Sequence, residues 1–456
     1  MRHGFAVLAL WVPMLLGALG PLGGCGGGGG GGAGPAVPSA EARLSGLAVS
    51  AGGLTPAFDP ATVAYAVEVD AATATIAVTP TTMDDGATLT VAGAPVASGA
   101  ASAPVALAVG DTDVVVEVTA EDGTTQRAYT VGVRRPAPPP PAPRPSRLFS
   151  PFVDAGLWPI LGALSDAVLD AEDVRHVHLG FVVENAWVAL EPAWAGVYGV
   201  GSTDAVTGDA PFLAGIERVR AHGGDVAVSF GGAAGLELAA AFQRAGKTAA
   251  ELQAAYQAVI DRYALTYVDF DIEGFHVADT ASVALRSAAI RGLQDAATAA
   301  SRTLKVSLTL PVMPTGLDAN GRAVLASALS AGVVLDAVNV MCMDYGAGTA
   351  DMGKAAIDAG EALVAQLRVL VPALDRAAAC RLVGLTPMIG INDTAPETFT
   401  LEDAAEVLAW ADANEIRMLS MWSFQRDHPG TGLSSTASGL AQDDFAFTRL
   451  FAPFAR

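Results

Sequence analysis

Basic residues are scarce. The 456 residues include 26 Lys and Arg against 47 Asp and Glu, a formal charge of −21. A nucleic-acid-binding surface concentrates lysine and arginine, and no basic patch occurs here, which excludes that class of partner. Cysteine is nearly absent: Cys25, Cys342 and Cys380 are too few for a disulfide framework, and the last two are expected as buried thiols in strands. Aromatic residues make up only 6% of the chain, which predicts few stacking platforms for an extended ligand. Metal ligands are equally sparse. His176 and His178 alternate along "HVHLG", but no third ligand stands at a suitable spacing. A structural role is expected for them, with no metal and no cofactor.

The N-terminus carries an export pattern. Arg2 precedes an apolar run from Phe5 to Leu19, about as long as a signal-peptide core. "LGGC", Leu22 to Cys25, then places small residues before a cysteine and resembles the lipobox of bacterial lipoproteins. The resemblance implies cleavage after residue 24, lipidation of Cys25 and attachment to a membrane through that lipid. Gly26 behind the cysteine points to the outer membrane, in an organism that has one. Beyond this run no stretch is long and uncharged enough to span a bilayer.

Composition divides the remainder. Residues 25–42 are Gly-rich and form a tether; residues 136–146, including "PAPPPPAPRP", form a proline-rich linker expected to act as an extended spacer. Residues 43–135 lie between them, with short Val/Thr/Tyr runs such as "TDVVVEVTA" and "RAYTVGV" and an Asp122-Gly123 turn. That pattern predicts a small all-β sandwich. The stretches from Leu44 to Val69 and from Val116 to Val133 resemble the cadherin-like β-sandwich module, which implies core roles for Leu54, Phe58 and Tyr65.

Residues 147–456 alternate apolar strand runs with Ala-rich helical periodicity. Eight runs begin at Leu148, Val177, Asp225, Tyr267, Lys305, Ala337, Leu382 and Met418. Eight β/α units in this length predict an α/β TIM (β/α)8 barrel. A doubly wound sheet would carry a Gly-rich phosphate turn after its first strand, and none is present.

The fourth run, "YVDFDIE", places Asp269, Asp271 and Glu273 at every second position. Strand side chains alternate faces, so the three acids share one face and Val268, Phe270 and Ile272 take the other. In a barrel the acids line the interior, and Glu273 stands nearest the C-terminal rim, where barrel active sites lie. Three acids in a confined space cannot all ionise cheaply; at least one pKa rises and yields a proton donor. Residues two apart on a strand lie about 6–7 Å apart, which leaves retaining and inverting geometries both open.

These residues carry a further resemblance. "TYVDFDIE" keeps the last three acids of D-G-x-D-x-D-x-E, the fourth-strand signature of glycoside hydrolase family 18, the chitinases and their relatives. Thr266 and Tyr267 replace its leading Asp-Gly. "SFGG" from Ser229 matches the third-strand motif, "MCMDYG" from Met341 the sixth, "LTPMIGIND" from Leu385 the seventh, and Trp422 the eighth-strand tryptophan.

The resemblance implies hydrolysis of β-1,4-linked N-acetylglucosamine polymers or oligomers by a retaining, substrate-assisted mechanism. Glu273 would be the acid, Asp271 would orient the acetamido group, and Asp269 would tune Asp271. Tyr345, in a shifted M-D-Y arrangement, would donate to the acetamido oxygen. Substrate-binding roles fall to Trp422, Met341, Asp344, Ser229 and Gly231, with a cis Trp422–Ser423 bond turning the indole beneath the sugar. The competing expectation is a surface-anchored glycan-binding or adhesion lipoprotein with weak or no catalysis.

Overall fold

The computed structural model describes residues 37–455 apart from 72, 74, 138, 139, 205 and 347; Cys25 lies outside the described residues. Among the described residues two large apolar cores form, one in residues 42–133 and one in residues 149–454, beside a small cluster of Leu148, Ala337 and Met418.

The N-terminal core is a β-sandwich. Two ten-residue strands, Gly110–Thr119 and Gln126–Arg135, form its longest hairpin. The hairpin closes where Asp122 Oδ1 accepts from the Thr124 and Thr125 amides while Gly123 takes φ +69°. Strict alternation sends Val114, Val116, Val118, Tyr129, Val131 and Val133 inward. Tyr65 is buried among them, whereas Leu54 and Phe58 pack half-buried at the edge.

The second core is the closed barrel. Its strands are His176–Glu184, Asp225–Gly231, Tyr267–Asp271, Lys305–Pro311, Ala337–Cys342, Val383–Pro387 and Met418–Leu419, second to eighth. The first strand is split at Ser150-Pro151: Leu148–Phe149 pairs with the eighth strand and Phe152–Asp154 with the second, closing the circle. All eight runs read from the sequence are strands, and each neighbouring pair is parallel. The barrel fold requires this alternation, because a parallel strand needs a crossover helix to bring the chain back. Long helices such as Thr280–Ala299 and Met352–Leu370 cover the outside.

Two expectations are corrected here. Cys380 does not lie in a strand; it ends the short helix Arg376–Cys380, whose Asp375 cap stops the preceding loop before the seventh strand begins. The proline-rich segment, expected as an extended spacer, is bound to the barrel at its C-terminal end. Arg417 Nη1 donates to the carbonyls of Pro145 (3.0 Å) and Ser146 (2.9 Å), which holds the segment under the barrel. The Arg144 side chain, 3% exposed, enters the floor, 3.7 Å from Asp225 and with its guanidinium 4.6 Å from the Tyr267 ring centre. His176 and His178 lie in the same floor; burial, then the Arg144 charge, pushes both imidazoles down to about 3.

Candidate active site

The fourth strand does what its alternation predicts. Val268, Phe270 and Ile272 are buried beneath the helices, Phe270 stacked on Phe230 at 5.3 Å and edge-on to Tyr256 at 5.1 Å. Glu273 stays extended just past the strand (φ −126°, ψ 168°), so the three acids keep one face.

The acids differ by depth. Asp269 is deepest and accepts from Ser229 Oγ (2.7 Å), Ser307 Oγ (2.5 Å) and Thr309 Oγ1 (2.9 Å). Burial raises its pKa to about 6 against the opposing pull of these hydroxyls. Asp271 is buried with its Oδ1 unpartnered among the described residues; burial first, then the charges of Glu273 and Asp269, raise its pKa well above the carboxylate range. Glu273 is half-buried at the mouth, and burial, then Asp344, raises its pKa against a lowering contribution from Asp271. A carboxyl held protonated beside a second carboxyl is the arrangement acid catalysis requires.

Asp271, Glu273, Thr309 and Met341 border a cavity of about 180 Å³. Trp422 walls it, with Phe181 stacked on the indole at 5.6 Å and Phe152 behind at 6.1 Å. The Trp422–Ser423 bond is cis, as expected; Gly180–Phe181 is also cis, which the sequence reading missed. Asp344 lines the same cavity in a left-handed conformation (φ 53°), its Oδ1 accepting from the Thr394 amide at 2.7 Å.

Three assigned residues lie elsewhere. Tyr345 does not reach the cavity. Its side chain packs in the apolar layer under the helices, beside the outward-facing Cys342, while its amide donates to Glu397 Oε2 at 2.9 Å. The turn at Asp344 sends consecutive side chains to opposite sides, and Met343 takes the inward place. Ser229 and Gly231 do not line this cavity. Ser229 is spent on Asp269, and Gly231, at φ +112°, leaves no room for a side chain: a Cβ there would stand 1.9 Å from the Asp271 carbonyl oxygen. Gly232 makes similar room for the Phe181 ring. The "SFGG" motif therefore supports the acids and the aromatic wall instead of touching a ligand.

Several cavity residues were missed, Phe181, Thr309, Met343 and Met388 among them, and so was one more acid. Asp393 faces Asp344 across the opening, and burial, then the Asp344 charge, raises its pKa. Asn392 builds its loop by donating to the Met388 and Gly390 carbonyls at 2.9 and 3.0 Å. The only available signal was the terminal "ND" of the seventh-strand motif.

Residues 44–136 match the cadherin-like β-sandwich domain family. The catalytic domain of a hyperthermophilic chitinase from Pyrococcus furiosus superposes with a TM-score of 0.59 at 31% identity, covering 69% of this chain and 96% of that one. The chain belongs to the chitinases of glycoside hydrolase family 18. Among curated chitinases, the "Probable bifunctional chitinase/lysozyme" of Escherichia coli K12 is 36% identical over 68% of this chain and 35% of its own length. "Endochitinase 11" of Metarhizium anisopliae is 34% identical over 62% of this chain and 53% of its own. The chain thus spans about a third to a half of the length of these curated chitinases.

Proposed function

We propose that the barrel hydrolyses β-1,4-linked N-acetylglucosamine chains with retention of configuration, the sugar's own acetamido group acting as nucleophile. The observation that carries this reading is Glu273 at the mouth of a tryptophan-walled cavity with Asp271 directly behind it. Glu273 protonates the leaving oxygen and then draws a proton from water. With the proton of the pair on Glu273, the Asp271 carboxylate accepts from the acetamido N–H and offsets the charge that grows on the oxazolinium ring. Asp269, held by three hydroxyls, tunes Asp271 from behind, its charge raising the Asp271 pKa. Trp422 offers a flat apolar face to the sugar. With Tyr345 outside the cavity, Asp393 is a further carboxyl that can hydrogen-bond the substrate on the Asp344 side. The Pyrococcus chitinase is described in complex with chito-oligosaccharides, which supports the same substrate class here.

Chitotetraose cleavage by the full chain tests this. Glu273→Gln should lower kcat by about three orders of magnitude or more with an unchanged melting temperature. Wild-type turnover in that variant removes the assignment.

The envelope location rests on "LGGC". Expressed in a bacterium with its leader, the protein should incorporate radiolabelled palmitate and partition into detergent. Incorporation that persists in Cys25→Ser contradicts the anchor.

A further inference from the structure

The catalytic cavity, at about 180 Å³, is smaller than the ~300–1,000 Å³ typical of ligand pockets. It grips little more than the unit being cut. The barrel carries a larger concavity: a groove of about 840 Å³ formed by the segment after the second strand and by the helix Ala249–Arg262. The two share no lining residue.

The groove is built, not incidental. Asn185 Oδ1 accepts from the Trp187 and Val188 amides (2.9 and 3.3 Å), and Glu184 Oε1 accepts from the Leu190 amide (2.8 Å). These bonds fold a turn that holds Trp187 outward, 68% exposed, along the groove. Arg262, in the same lining, is fixed by a bidentate pair with buried Asp209 (2.8 and 2.7 Å), and Asp209 also accepts from the Gly201 amide. An indole left this exposed has no packing reason to be there, and large exposed apolar groups mark interaction sites. Pro192 and Val200 extend the apolar surface; Asn185 Nδ2, with no acceptor among the described residues, and the Glu191 carboxylate supply hydrogen-bonding groups. An apolar platform rimmed by amide and carboxylate matches a pyranose, which has apolar C–H faces and polar edges.

We infer that this groove is a second, non-catalytic binding site for the same N-acetylglucosamine polymer. The inference rests on the proposed substrate class, and the occupant follows from chain continuity: Asn185, in the groove, directly follows the strand whose Phe181 walls the catalytic cavity. Holding one polymer at two places turns the second contact into an intramolecular event and raises its effective concentration.

Calorimetric titration of the full chain carrying Glu273→Gln with N,N′,N″-triacetylchitotriose, too short to serve as a polymer, tests the site. Two trimers should bind per chain. Adding Trp187→Ala should leave one, and adding Trp422→Ala should leave the other. Val188→Arg, which fills the groove and keeps Trp187, should repeat the Trp187→Ala result. Adsorption to insoluble chitin should weaken about tenfold in either groove variant, the loss of a stacked aromatic contact multiplied by lost avidity. One trimer per chain, lost with Trp422→Ala and kept with Trp187→Ala, overturns the groove and leaves the catalytic reading standing. One trimer lost only with Trp187→Ala upholds the groove and removes the reading of the cavity.

Discussion

At the scale of single residues, burial assigns the chemistry. Asp269, Asp271 and Glu273 have the same functional group and the same strand face, yet depth separates them: three hydroxyls on the first, an unpartnered oxygen on the second, a place at the mouth for the third. Asp393 belongs to this set. Its pKa lies above the ordinary carboxylate value, so its proton persists to higher pH and is lost as pH rises through that raised pKa. Asp393→Asn replaces the acid with an amide donor that never titrates. The variant should keep measurable kcat, with KM for chitotetraose raised about tenfold by altered hydrogen bonding, and the kcat/KM profile should lose the contribution of a group titrating above the ordinary carboxylate value. An unaltered KM together with an unaltered pH profile shows that Asp393 does not meet the substrate. Asp393→Ala, which donates nothing, should be the weaker enzyme of the two.

At the scale of elements, the segment entering the barrel is part of the barrel. Arg144 fills the floor between Asp225 and Tyr267, and the two histidines sit in the same layer. Arg144→Ala opens a void and leaves Asp225 to Arg220 and Thr266 alone, at a cost of roughly 3 kcal/mol. Arg144→Met, which keeps volume without a buried charge, should cost far less. Thermal unfolding distinguishes them; equal melting temperatures for wild type and Arg144→Ala show that the plug is not structural. The same layer sets an acid limit. His176 and His178 have folded pKa values pushed to about 3 from 6.5, so the unfolded chain binds the extra protons. Their contribution to stability is therefore fully present above pH 6.5 and is lost as pH falls toward 3. His178→Phe should flatten the pH dependence of the unfolding free energy between those values; an unchanged slope removes this account.

At the scale of the whole molecule, two cores carry two kinds of work. The sandwich buries a valine-rich interior and no cluster of perturbed acids, whereas every cavity residue discussed above lies in the barrel. A chain starting at residue 136, which keeps Arg144, should cleave chitotetraose with kcat within about twofold of the full chain, because short substrates need only the cavity. A severalfold loss shows that the sandwich contributes to turnover. The low aromatic content predicted few stacking platforms. The structure instead shows two tryptophans, Trp158 (83% exposed) and Trp187 (68%), on loops after the first and second strands. Composition counts aromatic residues but does not say which ones the fold leaves uncovered.

What the sequence by itself determined was whatever depends on periodicity and local order. The eight strands, the shared face of the three acids and the inward tryptophan at 422 follow from a period of two and from motifs in chain order. What only the tertiary structure decided was where side chains go once regular alternation stops. Tyr345 and Met343 exchange places because Asp344 turns through a positive φ, and Ser229 faces Asp269 because neighbouring strands stand in one particular register. Arg144, 81 residues before Asp225 in sequence, is legible as a linker arginine until the barrel closes over it. Register and closure are properties of contacts between distant segments, and no window of sequence contains both partners of such a contact.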